Sequence, residues 1–273
     1  MARRRLNKKV ALIGSTVLLL ATMTAVVVIL RLSRDPAQFI GDGDAAWAAK
    51  DYEAARKNYA RAYGYSRSAA EKIDLLFKLA DVYRETDQWH KVLQCWEQVI
   101  TTDPANLAAR LGRLKYCYLF ADSLPNAAGS ASGYWQEILS QATELVGVAS
   151  ERDVLEDPKS AWEPSFGKAE EPGWDGGIES LGAYLLLAKG RAAFELARLG
   201  AATAPADMLE QALADLQKAR ERDPNAAELY RLLAEVYLQK AEDAGARGDV
   251  AAQAQASRSA DNILAEAVGV VGA

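Results

Sequence analysis

The sequence predicts an all-α protein in which one N-terminal transmembrane helix precedes about five antiparallel helix pairs. Three observations support this prediction. The chain of 273 residues is rich in Ala, Leu, Glu, Lys and Arg and has few β-branched runs beyond its N-terminus. An uncharged run of 21 residues, from Val10 to Leu30, is long enough to cross a bilayer. Apolar residues then recur at three- and four-residue spacing in units of about 34 residues.

The uncharged run has the length and composition of a transmembrane helix. At about 1.5 Å per residue it spans roughly 32 Å, which matches the hydrocarbon core of a bilayer. Twelve of its residues are Leu, Ile or Val, and their insertion is worth on the order of 4–7 kcal/mol. Five basic residues precede the run, in the segment 1–9, and two follow it. The positive-inside rule therefore predicts a cytoplasmic N-terminus, with the rest of the chain after the helix on the other side of the membrane.

A cleaved signal peptide is the alternative interpretation of this run. Its apolar core would be shorter, and a small-x-small cleavage site would follow it. Leu30, Arg31 and Leu32 stand at that place instead, which favours an uncleaved anchor. Residues 31–38 then form a short linker, so the body is expected to lie close to the membrane.

The clearest helix pair lies in residues 73–106, with a break at residues 85–87. Asp103 is a good N-cap and Pro104 suits the first position of a helix, so the next helix is predicted to begin there. Neither helix of the pair can bury its apolar stripe alone. The stripes are Leu76, Leu79, Ala80 and Tyr83 in the first helix and Trp89, Val92, Trp96 and Val99 in the second.

This unit resembles the tetratricopeptide repeat, which combines a large residue, a Leu-small pair, an aromatic residue and a closing proline. Val92 and Val99 stand where the family prefers alanine. The resemblance implies a right-handed superhelical solenoid whose concave face, lined by the first helix of each pair, binds peptides or helices of other proteins. It also implies a non-catalytic scaffold or adaptor in envelope assembly, secretion or quality control, anchored in a bacterial inner membrane with periplasmic repeats.

Other parts of the chain repeat the pattern less regularly. Residues 39–150 are predicted to form three helix pairs, and residues 179–268 two more, with helices at 180–199 and 207–222. An apolar tail, 269–273, ends the sequence. Because solenoids normally close with a polar helix, this tail suggests two alternatives. One is the N-terminal interaction region of a longer enzyme or regulator, and the other is docking, including self-association at the C-terminal edge.

Residues 151–178 interrupt the helical pattern with several prolines and glycines and a net charge of −5. A loop of this length is uncommon in a compact domain unless it is functional or disordered. Trp162, Phe166 and Trp174 are its candidate contacts. They either pin the loop onto the repeats or place it over the concave groove, where it competes with a ligand.

The resemblance places six candidate residues in a peptide groove. The family's basic clamp for C-terminal carboxylates is not reproduced, because Phe77 and Leu111 occupy positions that require polar groups. A more general peptide groove is therefore the expectation. The six candidates are Asp81 and Arg84, Lys115 and Tyr118, and Arg231 and Glu235.

The sequence carries no recognisable catalytic, cofactor or metal motif. His90 is the only histidine, and its helical position predicts a solvated residue. Cys95 and Cys117 lack metal-ligand spacing, and a register offset of about 7 Å between their helices disfavours a disulfide. From Asp35 onward the chain carries 25 basic and 37 acidic residues, a net charge of −12. Such a body is repelled by phosphate backbones, which disfavours nucleic-acid binding.

Overall fold

The computed structural model describes residues 16–24, 35–123, 130–156, 178, 180–200 and 207–271. Residues 16–24 are helical, and ten further helices follow in the described part of the chain. They are α1 (Pro36–Ala48), α2 (Tyr52–Tyr65), α3 (Ala69–Glu85), α4 (Trp89–Thr102), α5 (Leu107–Ser123), α6 (Ser130–Glu151), α7 (Leu181–Arg198), α8 (Met208–Arg222), α9 (Ala227–Ala246) and α10 (Val250–Val271).

The all-α prediction is confirmed for the described residues, whose helices follow one another as consecutive pairs. The chain divides into two compact units, Met1–Cys95 and Trp96–Ala273, so the boundary falls inside α4. Unit 1 contains α1–α3 and the first half of α4, and unit 2 contains the rest. The predicted superhelical handedness stays a prediction.

In unit 1, three helices meet around one aspartate. The Tyr59 hydroxyl of α2 and the Lys78 ammonium of α3 each donate a hydrogen bond of 2.8 Å to Oδ1 of Asp44 on α1. Burial alone would raise the pKa of Asp44, but these two hydrogen bonds and the lysine charge lower it below its usual range. A Cβ at Gly43 would lie 2.5 Å from the Tyr59 ring. Glycine at this position therefore lets α1 and α2 approach closely.

Two predicted helix starts are wrong by a few residues, and the capping side chains explain why. The predicted linker 31–38 overlaps α1, because Asp35 accepts from the backbone N–H of Ala37 and Pro36 occupies the first turn. The helix predicted to start at Pro104 begins only at Leu107. Asn106 caps it by accepting from the Ala109 N–H at 3.1 Å. Asp103 instead accepts a hydrogen bond from the Ala105 N–H in the turn before the helix.

Unit 2 is built around α7. Each helix from α5 to α10 packs against the next, and α7 also contacts α9. A Cβ at Gly190 of α7 would lie 2.7 Å from Cγ of Leu216 on α8, so the glycine permits this close crossing. Fourteen residues of α7 are buried, and they occupy every side of the helix. A helix that is apolar all round belongs in a core, and α7 is the core helix of this unit.

The two ends of the sequence bear on the anchor and tail predictions. The predicted tail 269–273 is partly wrong, because residues 269–271 continue α10, while 272–273 lie outside the described residues. In the described ranges, no helix combines the length and apolar composition needed to cross a membrane. Of the run predicted to span it, residues 10–15 and 25–30 lie outside the described residues.

Candidate functional site

The first helices of three pairs, α3, α5 and α9, share one repeat register, which allows their surface positions to be compared. We call the first helix of each pair the inner helix and the second the outer helix. In each, two large residues are followed by a third position that faces the outer helix and by an aromatic residue. The spacing predicts that equivalent positions point in equivalent directions. The equivalent sets are Leu76, Leu79, Ala80 and Tyr83 in α3, Leu111, Leu114, Lys115 and Tyr118 in α5, and Tyr230, Leu233, Ala234 and Tyr237 in α9.

The prediction that Lys115 and Tyr118 line an open groove is wrong. Their exposed fractions are 2% and 1%. The repeat register gives the reason. Lys115 is equivalent to Ala80 and Tyr118 is equivalent to Tyr83, and both of these positions face inward. The groove positions, those of Asp81 and Arg84, come one residue later in the repeat. Tyr118 packs edge-on against Trp135 of α6, with ring centroids 5.5 Å apart. Both side chains therefore belong to the core of unit 2.

Asp81 and Arg84 lie together on α3, and their place in a peptide groove stays a prediction. Arg84 forms an ion pair of 2.9 Å with Asp81, and their side chains are 17% and 44% exposed. Desolvation raises the pKa of Asp81, and the guanidinium of Arg84 opposes that rise. The pair is partly exposed and lies within one helix, so it contributes little to stability.

Arg231 and Glu235 also lie together, on an exposed face of α9. Nε of Arg231 donates to Glu228 at 2.7 Å, and the same guanidinium pairs with Glu235. The hydrogen bond to Glu228 raises the pKa of Arg231 above its usual range, and burial opposes this. The side chains of Arg231 and Glu235 are 48% and 41% exposed. This face therefore presents a fixed triad of one cation and two anions.

Leu238 extends this face and was missed by the sequence interpretation. It lies three residues after Glu235 and seven after Arg231, on the same helical stripe. Its side chain is 47% exposed, although leucine is usually buried. The helical spacing alone was the signal that could have found it. The α9 face, as we call the stripe Arg231, Glu235 and Leu238, thus joins charge and apolar surface.

The equivalent face of α7 is closed. With Gly190 matched to Ala234, the positions of Arg231, Glu235 and Leu238 are taken by Leu187, Arg191 and Phe194. Leu187 and Phe194 are only 1% and 4% exposed. Of these two helices, only α9 exposes this face.

Unit 2 also has a shallow cleft of about 400 Å³ between α6 and α8, on the side of the outer helices. Its one acid, Glu144, is already paired with Arg110 at 2.6 Å. The cleft holds no pair of groups suited to acid–base chemistry. Its lining is Gln136, Leu139, Ser140, Thr143, Glu144, Leu196, Met208 and Gln211.

The candidate loop contacts Trp162, Phe166 and Trp174 lie outside the described residues and stay predictions. The chain on either side of the loop is described. The Gly182 N–H at the start of α7 donates to the Leu155 carbonyl at 2.7 Å. Ile178 is fully buried in the core of unit 2. The described residues on both sides of the loop therefore lie at this core.

The other residues considered for chemistry are the single histidine and the two cysteines. His90 is exposed on α4. Cys95 and Cys117 are buried free thiols, and burial raises their pKa values to about 12 and about 11. No cluster of three potential metal ligands occurs in the described ranges.

Consecutive helix pairs, with small residues at the crossings, make up an all-α helical-repeat fold. No protein-family model and no curated protein sequence matches the chain. The structure is similar to "MamA RS-1 ArsTM double mutant", with a TM-score of 0.52 and 10% identity over 88% of this chain and 96% of that one. At this identity the likeness concerns the fold alone.

Two further solved structures show weaker likeness. MamA residues 41–end from Desulfovibrio magneticus RS-1 has a TM-score of 0.49 at 9% identity, over 86% of this chain and 96% of that one. A thermophilic TPR protein of Thermus thermophilus has a TM-score of 0.36 at 16% identity, over 88% of this chain and 100% of that one.

Proposed function

We propose that this protein is a non-catalytic scaffold that binds other proteins and is anchored in a bacterial inner membrane. The α9 face carries the binding proposal. It presents Leu238, half exposed, beside charges that Arg231 holds in a fixed geometry. Apolar anchors next to oriented charges are what protein interfaces use for affinity and for specificity.

The chemistry of the α9 face indicates the kind of segment that would bind. Glu228 and Glu235 outnumber Arg231, so their cluster carries a net negative charge. Glu242, one turn beyond Leu238, is exposed and adds another. A helix or extended peptide with an apolar side chain over Leu238 and a basic residue beside it would complement this face.

The membrane proposal rests on the apolar segment 16–24. Val17, Leu18, Leu19, Leu20 and Met23 are about 60% exposed. Exposed apolar side chains in this number mark a surface that meets something other than water. Hydroxyls in the segment are satisfied locally, since Thr22 and Thr24 donate to carbonyls of the preceding turn. Such bonding suits a helix in lipid, where no water is available.

A photo-reactive amino acid at Leu238 tests the binding proposal in intact membranes. A cross-linked protein partner is expected at this position. None is expected from the same probe at Gln255, an exposed polar residue of α10. Reversing the charges with Arg231→Glu and Glu235→Lys should remove the adduct while the helical circular dichroism is unchanged. An adduct that survives the reversal, or one equally strong from Gln255, would refute binding at the α9 face.

Membrane anchoring and orientation need a separate experiment. The full chain should remain in the membrane pellet after alkaline extraction, and external protease should reach the repeats only after the outer membrane is opened. N-terminal sequencing of the mature protein should find Met1. Loss of residues 1–30 would establish the cleaved signal peptide instead and leave binding at the α9 face unaffected.

A further inference from the structure

One side of α10 carries three large apolar residues that are exposed. Val250, Leu264 and Val268 are 73%, 45% and 74% exposed. They do not belong to the side that packs on α9, where Ala260 and Ile263 are buried. Nor do they belong to the side reached by α8, where Arg220 pairs with Glu266 at 2.9 Å. The α10 stripe, as we call it, is Val250, Ala254, Ser257, Asp261, Leu264 and Val268.

The spacing of the α10 stripe is that of a helix-pairing seam. Its members alternate at four- and three-residue intervals over 19 residues, from Val250 to Val268. This is the a/d pattern through which two helices interlock. The polar residues Gln255 and Asn262 lie on another side of the helix and are exposed. An exposed seam of this spacing indicates that another helix packs against it.

The α10 stripe is self-complementary when it is read in the opposite direction. In an antiparallel pair centred on Ser259, Leu264 faces Ala254 and Val268 faces Val250, which matches large with small and apolar with apolar. The one carboxylate, Asp261, faces Ser257, whose hydroxyl can donate to it. Every position thus meets a suitable counterpart from an identical helix.

Charge at the edge of the seam agrees with the same register. Arg258 borders the stripe on its exposed side. The antiparallel register sets Arg258 within one residue of Asp261 on the opposite helix, so the pair contributes two cross-helix ion pairs. A parallel pairing would set Asp261 against Asp261, which costs repulsion at the centre of the seam. The charges therefore select the antiparallel arrangement.

The other end of the repeat series does not suit a head-to-tail contact. Gly43 of α1 occupies the position of Ala80 and Ala234, so Asp42 occupies that of Leu79 and Leu233. Asp42 is exposed. An inner helix with a carboxylate there would desolvate it against the leucine and valine of the α10 stripe.

We propose that two copies of this chain form a symmetric dimer in which their α10 helices pair antiparallel through the α10 stripe. The contact is isologous and closes on itself, so it yields dimers and not filaments. It does not depend on binding at the α9 face. A single helix seam makes a small interface, so the dimer is expected to dissociate on dilution, and confinement to a membrane raises the local concentration.

Cysteine cross-linking distinguishes the possible arrangements. In the double variant Ala254→Cys and Leu264→Cys, each new thiol faces its counterpart in the other copy, and oxidation should give a covalent dimer. The two sites are about 15 Å apart within one helix, too far for an internal bridge. Either single variant alone should not cross-link. The native Cys95 and Cys117 are buried, and the cysteine pair Gln255→Cys and Asn262→Cys on the polar side serves as the negative control.

Mass in detergent provides the second measurement. The full chain should sediment as a dimer at about 100 µM and dissociate on dilution, and Leu264→Asp with Val268→Asp should weaken the dimer at least about 100-fold. The matched pair Gln255→Asp and Asn262→Asp should leave it intact. A monomer at this concentration would overturn the proposal, as would cross-linking by single cysteines, a dimer that tolerates the aspartates, or oligomers larger than two. A dimer without partner adducts at Leu238 would leave this proposal standing and reject only the α9 face.

Discussion

The helices α7 and α9 are inner helices of successive pairs, yet one is enclosed and the other is open. On α7 the groove-facing positions hold Leu187 and Phe194, which are buried. On α9 the same positions hold Arg231 and Leu238, which are half exposed. The repeat register is therefore common to both helices, but it fixes only which side faces the outer helix. What covers the groove-facing side decides whether a repeat can bind a ligand.

The largest expected difference between the two helices is at the matched positions 194 and 238. Phe194→Ala should lower the free energy of unfolding by about 3–5 kcal/mol, because it leaves a cavity in the core of unit 2. Leu238→Ala should change it by less than about 0.5 kcal/mol, because the half-exposed side chain leaves no cavity when it is removed. Urea titration followed by far-UV circular dichroism measures both. Equal losses would mean that the α9 face is covered in solution.

The helix crossing at Gly190 provides the next contrast. Gly190→Ala should cost about 1–3 kcal/mol, because its Cβ would lie 2.7 Å from Cγ of Leu216 and force the helices apart. Gly147→Ala is the matched control in α6, since nothing lies within 4 Å of its Cβ. That substitution should stabilise the protein by about 0.5–1 kcal/mol through helix propensity. A stabilising Gly190→Ala would show that α7 and α8 are less tightly packed than this distance implies.

The sequence predicted the helices better than the surface. Periodicity placed a helix at 180–199 and another at 207–222, and the structure has them at Leu181–Arg198 and Met208–Arg222. Where prediction failed, at Pro104, a capping bond from Asn106 decided the outcome. The groove is harder to predict because exposure depends on distant contacts. Lys115 was predicted to lie on the surface because lysine is charged, yet it occupies the inward position equivalent to Ala80 and is buried. In the sequence, only the apolar residues on every side of α7 indicated that its groove-facing side is buried.

Arginine on the two helices gives a smaller contrast. The guanidinium of Arg191 lies over the rings of Tyr118 and Trp135, 5.0 and 5.5 Å from their centroids. Arg191→Ala should cost about 1–2 kcal/mol, because partly desolvated cation–π contacts are lost together with stem packing. Arg231→Ala should cost no more than about 0.5 kcal/mol despite its two ion pairs, which are exposed. The same urea titration compares them, and an equal cost would mean that the surface triad is structural and not available for binding.

The turns that end α7 and α9 should respond alike, although the helices differ. Gly200 and Gly248 have φ angles of 59° and 75°, and nothing lies within 4 Å of a Cβ at either position. Alanine there should cost about 1 kcal/mol in each case, because the left-handed conformation strains a side chain wherever it occurs. Thermal unfolding of Gly200→Ala and Gly248→Ala tests this, with Asp87→Gly as the reciprocal change at φ 54° and an expected gain of similar size. Unequal losses of stability at positions 200 and 248 would mean that burial of α7 also constrains the turn that follows it. The burial of the helix, and not the backbone conformation of the turn, would then determine the loss.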